Sequence, residues 1–297
     1  MQDKTTKRQI HPFITFAIDF AKLIRLYNLV ILVGTQAMLK IFIIDEARYG
    51  VQSLADTYFW LLAMATFCIA AAGYVINDYY DVKIDVINKP ERVVIGRTIK
   101  RRTALIINFT FNFLGLALSM ALHYAIGLIN LGVIFLLWWY SNNLKRLPLV
   151  GNATIAFLSA LSVSLAGFYY QKNTPYILMY GLFAFFISLV REIVKDMEDV
   201  KGDATFGCRT LPIVWGLRRT KEVVFVFLAI FTTLVLSTFV SFGNIFSVYL
   251  GVVLVPAVSI FIYEMARADT KQSFERLSTL CKIMMLLGVS SIPWLGP

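Results

Sequence analysis

Long apolar stretches alternate with short polar segments along nearly the whole chain. Each stretch is at least about as long as a helix that spans a bilayer, which needs about 20 residues. Six of them carry no charged residue: Tyr58 to Ile76, Thr103 to Leu122, Tyr124 to Tyr140, Leu147 to Gln171, Asn173 to Val190 and Val223 to Tyr263. The pattern predicts an all-α, polytopic membrane protein.

Two further stretches and one division bring the number of predicted helices to nine. Leu26 to Ile44 and Leu277 to Leu295 are apolar apart from one lysine each. The long run that begins at Val223 contains a turn signal at residues 241–244, Ser-Phe-Gly-Asn, so we predict two helices there. Because the ends and loops are short, residues 1–297 are predicted to form a single transmembrane domain.

The composition agrees with this prediction and excludes several classes of protein. Hydrophobic residues make up 58% of the chain and charged residues 15%, whereas a soluble domain is roughly a quarter charged. Three cysteines without C-x-x-C spacing and two histidines do not indicate a disulfide framework, a haem site or a zinc site. In a membrane protein the net charge of +10 does not indicate nucleic acid as a partner.

The placement of the basic residues predicts the orientation. With nine spans, the amino terminus and the loops after helices two, four, six and eight share one side. Of the 28 lysines and arginines, 25 lie toward that side, and only Lys40, Arg48 and Lys172 lie toward the other. Since positive residues mark cytoplasmic segments, the amino terminus is predicted to be cytoplasmic, in the cell membrane.

Seven of the 18 acidic residues form two clusters on the same predicted side. They are Asp78, Asp81 and Asp85 after helix two, and Asp196, Glu198, Asp199 and Asp203 after helix six. Each cluster contains a D-x-x-x-D pair, and the second pair follows the first by 118 residues. Four helices separate them, so both preceding helices run in the same direction.

If the helices continue through these clusters, the acids lie on one helical face and repel each other. A carboxylate near a helix carboxyl terminus also opposes the helix dipole. Nearby lysines could neutralise them as solvated ion pairs, and the candidates are Lys83, Lys89, Lys195 and Lys201. Two matching pairs on one side instead favour a hard divalent ion, above all Mg²⁺, which prefers a few carboxylates and phosphate oxygens.

The first cluster, Asn77 to Asp85, reads N-D-x-x-D-x-x-x-D and resembles the first aspartate-rich motif of the UbiA superfamily of intramembrane prenyltransferases. The second, Asp196 to Asp203, is similar to that family's second motif. Three further segments resemble the Y-S-x-x-L-K, N-x-P-x-R and R-P-x-N segments of the family: Tyr140 to Lys145, Asn88 to Arg92, and Arg25 to Asn28. The chain departs from the family in two places: the segment Arg25 to Asn28 lacks the usual proline, and Val93-Val94-Ile95 replaces a proline-rich segment after Arg92.

This resemblance implies Mg²⁺-dependent transfer of a prenyl group from its diphosphate, in a central cavity between nine helices. It implies the following metal ligands: Asn77, Asp78, Asp81, Asp199 and Asp203. It implies these catalytic residues: Asp81, Asp199, Lys145 and Tyr140, the last one facing the allylic cation. It implies these substrate-binding residues: Arg25, Asn28, Arg92, Lys145, Asp85 and Asp196.

The segments Arg191 to Asp203 and Gly207 to Pro212 look most like the branch of the family that transfers geranylgeranyl to a prenylglycerol phosphate, forming an ether lipid. The resemblance thus implies a membrane-dissolved acceptor and a site mouth on the cytoplasmic side. Helices one to four would carry the first motif and helices five to nine the second, as a pseudo-repeat.

An aromatic prenyltransferase of quinone, tocopherol or chlorophyll-like pathways remains an alternative. A secondary transporter is disfavoured because only Lys40 and Lys282 lie inside the predicted spans.

Overall fold

The computed structural model describes residues 12–242 and 245–295. The helices are α1 (Pro12–Leu23), α2 (Leu26–Leu39), α3 (Thr57–Asn88), α4 (Arg101–Leu122), α5 (Tyr124–Asn142), α6 (Val150–Tyr170), α7 (Thr174–Thr205), α8 (Leu211–Phe242), α9 (Ile245–Tyr249), α10 (Val255–Arg267) and α11 (Lys271–Ser290). A π-helical turn, Lys40–Ile44, extends α2, and another, Leu250–Leu254, joins α9 to α10.

Nine segments of the described residues are long and apolar enough to cross a membrane, which confirms the predicted all-α membrane fold. The predicted division after Val223 is also present, since α8 ends at Phe242 and α9 begins at Ile245, although Gly243 and Asn244 lie outside the described residues. His11, one of the two histidines, lies outside them too. The sequence pattern missed α1, whose 12 residues are too short to span a bilayer.

Helices α3 and α7 are the two longest uninterrupted helices, with 32 residues each, and both continue through an acidic motif. Helix α3 begins at Asp56, whose carboxylate accepts a hydrogen bond of 2.9 Å from the Tyr58 N–H. It ends before Lys89, because Pro90 disfavours helical backbone in the residue that precedes it. Helix α7 ends shortly before Gly207. This residue has a φ of +70°, a left-handed conformation that ends a helix and that glycine adopts without strain because it has no Cβ. The acids of each motif therefore share one helical face, as predicted.

Two clusters of buried apolar side chains hold the bundle together. The larger centres on α7, α8, α10 and α11, and includes Ile193 and Phe261. The smaller joins α1 to α4 and includes Leu29 and Val75. A cavity of about 350 Å³ is lined by α2, α3 and α5 on one side and by α6, α7 and α11 on the other. The bundle therefore encloses the central cavity that the family resemblance implied.

An ion-pair network at the end of the bundle away from the motifs explains the buried charge of α2. Lys40, only 5% exposed, lies 2.9 Å from an Asp45 carboxylate oxygen and 3.3 Å from Asp56. The Tyr170 hydroxyl donates to Asp56 at 2.7 Å, and the Lys40 ammonium lies 4.4 Å from the centre of the Tyr170 ring. The network joins the end of α2 to the start of α3 and the end of α6.

Replacing Lys40 by methionine should lower the apparent melting temperature, because it leaves two partly buried carboxylates without their cation. Removing one partner of a buried ion pair costs roughly 3 to 5 kcal/mol. Turnover at a temperature where the variant is folded should stay close to that of the parent protein, since about 20 Å of α2 separates Lys40 from the motif end. Thermal unfolding in detergent measures the first effect, and Lys172→Met, an exposed cation near the same end, is the matched control. Equal melting temperatures for the Lys40 and Lys172 variants would contradict the prediction.

Candidate active site

The two acidic motifs meet where the carboxyl ends of α3 and α7 contact each other. Asn88, at the end of α3, accepts a hydrogen bond of 2.9 Å from the Gly202 N–H of α7 and donates one of 3.5 Å to Asp203. A Cβ on Gly202 would lie 2.4 Å from the Asn88 side-chain oxygen, so this close approach requires glycine. Lys271 of α11 donates to the Asn88 carbonyl and ties a third helix to the junction.

Each acidic motif is neutralised by cations that are distant in the sequence. The Lys89 ammonium lies 2.7 Å from Asp199 and 3.0 Å from Glu198, so it bridges from the end of α3 to α7. Lys145, 9% exposed, lies 2.6 Å from Asp81. Arg25 donates to Asp78 at 2.9 Å.

The interpretation that nearby lysines neutralise the acidic motifs is confirmed for only one of the four candidates. Lys83 and Lys201 are exposed, and Lys195 pairs with Glu192 at 3.6 Å rather than with an acid of the motif. Of the four candidate lysines, only Lys89 contacts an acidic motif. It follows α3 in the sequence, but the motif that it contacts belongs to α7. The compensating charges therefore come from the tertiary fold.

Two cations of the site, Lys89 and Arg25, have a raised pKa and are protonated at neutral pH. Burial lowers the pKa of Lys89, but Asp199 and Glu198 raise it more, so that this pKa lies above its usual value. Burial likewise lowers the pKa of Arg25, and Asp78 more than restores it.

The chemistry of the donor set fits a divalent ion whose shell is completed by a ligand. Asp81 of the first motif and Asp203 of the second lie within electrostatic range of each other. One carboxylate oxygen of Asp199 is buried and has no hydrogen-bond partner. Across residues 12–242 and 245–295, no three acidic, histidine or cysteine side chains converge to hold an ion by themselves. Mg²⁺ does not need such a cage, because it commonly takes one or two carboxylates together with water and phosphate oxygens.

The cavity is polar beside the motifs and apolar farther along. Arg25, Asn28, Asn77 and Tyr140 line the end nearest the motifs, and Arg25 also lies 4.7 Å from the ring centre of Tyr74. Three aromatic rings line the part farther along α7 and α8: Tyr180, Phe183 and Phe231, with Phe183 at 6.0 and 5.9 Å from the other two. The shape suits a ligand with an anionic head and a long apolar chain.

Eight predicted residues do not line the cavity itself: Asp78, Asp81, Asp85, Arg92, Lys145, Asp196, Asp199 and Asp203. Arg92 is 62% exposed, and its guanidinium lies 3.8 Å from Glu275 of α11. Asp196 accepts a hydrogen bond of 2.8 Å from Asn152 of α6. Asp85 lies half-buried on the face of α3 that carries Asp81. In this structure Arg92 therefore pairs with α11, and its role in substrate binding stays a prediction.

Several polar residues of the cavity were not assigned to the site from the sequence. They are Arg191, Glu192 and Lys195 of α7, Asn130 of α5 and Lys282 of α11. A signal was present for two of them, since Arg191 and Lys195 precede Asp199 at a spacing of four residues along one helical face. Lys282 had no such signal, because α11 is brought to the cavity only by packing against α7.

Sequence comparisons agree with this geometry. The profile of the UbiA prenyltransferase family matches residues 47–286. The digeranylgeranylglyceryl phosphate synthase of Methanosphaera stadtmanae is 31% identical over 80% of this chain and 89% of the relative. The enzyme of the same name from Methanothermobacter thermautotrophicus is 34% identical over 76% of this chain and 81% of the relative.

Solved structures show the same fold. A digeranylgeranylglyceryl phosphate synthase structure superposes with a TM-score of 0.70 and 26% identity, covering 94% of this chain and 98% of that one. A UbiA homologue from Archaeoglobus fulgidus bound to GPP and Mg²⁺ superposes with a TM-score of 0.63 and 18% identity, over 92% of this chain and 99% of that one. From the matched profile, its similar relatives and the shared fold, we conclude that this chain belongs to the UbiA prenyltransferase family.

Proposed function

We propose that the protein transfers a geranylgeranyl group from its diphosphate to the free hydroxyl of a prenylglycerol phosphate, forming an ether lipid. The observation that carries the proposal is the meeting of two acidic motifs at the polar end of a long apolar cavity. The names of the relatives support the acceptor, since the similar proteins from both methanogens are digeranylgeranylglyceryl phosphate synthases.

In the reaction the allylic C–O bond of the donor breaks, diphosphate departs with the electron pair, and the acceptor oxygen binds the resulting carbocation and loses its proton. The residues proposed to hold Mg²⁺ are Asn77, Asp78, Asp81, Asp199 and Asp203. The bound metal would act as a Lewis acid on the leaving diphosphate. The Mg²⁺ in the solved Archaeoglobus fulgidus homologue supports a requirement for this metal.

Residues of the chain itself stabilise charge of both signs. Lys145 and Arg25 provide fixed positive charge beside the motifs, where the diphosphate gains negative charge. The ring of Tyr140, at the polar end of the cavity, can stabilise the allylic cation through its quadrupole. The family resemblance further assigns Asn28, Arg92, Asp85 and Asp196 to substrate binding. The apolar lining excludes water, which would otherwise capture the cation.

The proposal includes an orientation and a domain plan. The strong bias of basic residues supports a cytoplasmic amino terminus and a cytoplasmic mouth for the site. The chain is proposed to be one prenyltransferase domain with two related halves. Equal lengths of α3 and α7 and the acidic motif at the same end of each support this plan.

An assay with two acceptors tests the proposed function. Purified protein supplied with geranylgeranyl diphosphate and Mg²⁺ should prenylate geranylgeranylglyceryl phosphate and leave 4-hydroxybenzoate unchanged. Mass spectrometry of the extracted lipid identifies the product. Turnover of the aromatic acid alone would overturn the proposed acceptor and favour an aromatic prenyltransferase, while product from neither would contradict the proposed function.

A further inference from the structure

Four cations surround the cavity between the motifs and its apolar part. Arg25 precedes α2, Arg191 and Lys195 lie on α7, and Lys282 lies on α11. All of them line the same cavity, and Lys282 is within electrostatic range of the other three and of Arg92. Such a concentration of positive charge is unusual in the interior of a membrane protein.

The carboxylates nearby do not balance these cations. Arg25 is paired with Asp78. Glu192, 8% exposed, is shared by Arg191 at 2.6 Å and Lys195 at 3.6 Å. Lys282 makes no ion pair or hydrogen bond with any described residue. The Nε atom of Arg191 is buried and has no hydrogen-bond partner. One carboxylate is therefore shared by Arg191 and Lys195, Lys282 has no paired carboxylate, and a buried donor of Arg191 remains unsatisfied.

The two cations of α7 lie deeper in the bundle than Asp199 of the second motif. Lys195 and Arg191 precede Asp199 by four and eight residues on the same helix, which places them about 6 and 12 Å below it along the helix axis. A diphosphate held at the motifs can satisfy Lys145 and Arg25, but it leaves the lower cations without an anion. A second anionic group, held one to two helical turns below the first, would satisfy them.

We infer that Arg191, Lys195 and Lys282 form a subsite for the phosphate of the acceptor, separate from the diphosphate site. The inference rests on the proposed function, because it assigns a location to the acceptor's phosphate. Glu192 is a positioning residue, since its carboxylate holds Arg191 and Lys195 toward the cavity. A phosphate bound there would direct the glycerol hydroxyl upward, toward the leaving diphosphate, and would select against acceptors without a phosphate.

The test compares Lys282→Met with Lys282→Arg in the full-length protein. The methionine variant should raise the KM for geranylgeranylglyceryl phosphate by roughly 10- to 100-fold, the loss expected for one charge-assisted contact. Its KM for geranylgeranyl diphosphate should not change. Lys282→Arg should restore most of the affinity, since it keeps the charge. Arg276→Met, which removes an exposed cation from the same helix, is the matched control.

A second acceptor distinguishes a phosphate contact from a packing effect. Geranylgeranylglycerol, which lacks the phosphate, should be a poor acceptor for the parent protein, and Lys282→Met should not impair its use further. An unchanged KM for the phosphorylated acceptor in Lys282→Met, with ether lipid formed normally, would overturn the subsite alone. An equal loss with both acceptors would also overturn it. Failure of the parent protein to use the phosphorylated acceptor would overturn the proposed function and the subsite together.

Discussion

Asp81→Asn is expected to lower prenyl transfer by at least about 10²- to 10³-fold, the range found when one preorganised electrostatic contact to a developing charge is removed. Asparagine keeps the shape of the side chain and one oxygen, but it removes the charge that the proposed metal site needs. Asp81 is only 14% exposed and lies 2.6 Å from Lys145, so the substitution also removes the partner of a buried cation. Asp199→Asn should have a comparable effect, because the resemblance assigns both residues to the metal.

The measurement is product formation at saturating concentrations of both substrates, with melting temperature and elution volume as evidence of folding. Asp269→Asn is the matched control, since Asp269 is 79% exposed and pairs with Lys221 away from the cavity. The control should retain full activity. Near-normal turnover in a folded Asp81→Asn or Asp199→Asn protein would remove that residue from the proposed metal site.

Removal of divalent ions by a chelator is expected to abolish turnover, and excess Mg²⁺ should restore it. The physical reason is electrostatic repulsion. Without a divalent ion, the negatively charged diphosphate of the donor would be repelled by the two motifs, which together carry seven acidic side chains. Lys89, Lys145 and Arg25 are already paired with carboxylates, so by themselves they do not offset the repulsion between the motifs and the diphosphate.

The design needs two comparisons. A chelator saturated with Mg²⁺ before addition controls for direct inhibition, and it should leave turnover intact. Ca²⁺ should restore little activity, because it is larger and less demanding in its geometry than Mg²⁺. Full turnover in excess chelator would contradict a metal requirement while leaving the fold and the family assignment unaffected.

Much of the fold could be predicted from the sequence because it depends on local chemistry. A run of about 20 apolar residues must bury its backbone polar groups in a helix wherever it lies in a bilayer, so nine spans could be identified without tertiary information. The turn near residue 243 was visible for the same reason. Helix α1 was missed because its 12 residues carry no signal of span length.

The candidate site was predictable to the extent that its residues are close in sequence. Asp81 and Asp85 share a face because helical spacing places them there, and Asp199 and Asp203 do so equally. The role expected for Arg92 depended on the path of a loop. Its neighbours are valines and an isoleucine in place of the usual proline-rich segment, and the structure leaves Arg92 exposed beside Glu275.

Helix periodicity and hydropathy thus predicted by themselves the nine candidate membrane spans that the described residues contain, and two matched acidic faces. Only the tertiary structure decided that Lys89 bridges to Asp199, that Asn88 packs closely against Gly202, and that Lys282 lines the cavity. Each of these contacts joins helices far apart in the sequence. Their formation depends on which helix faces pack together, and no local pattern of residues specifies that packing.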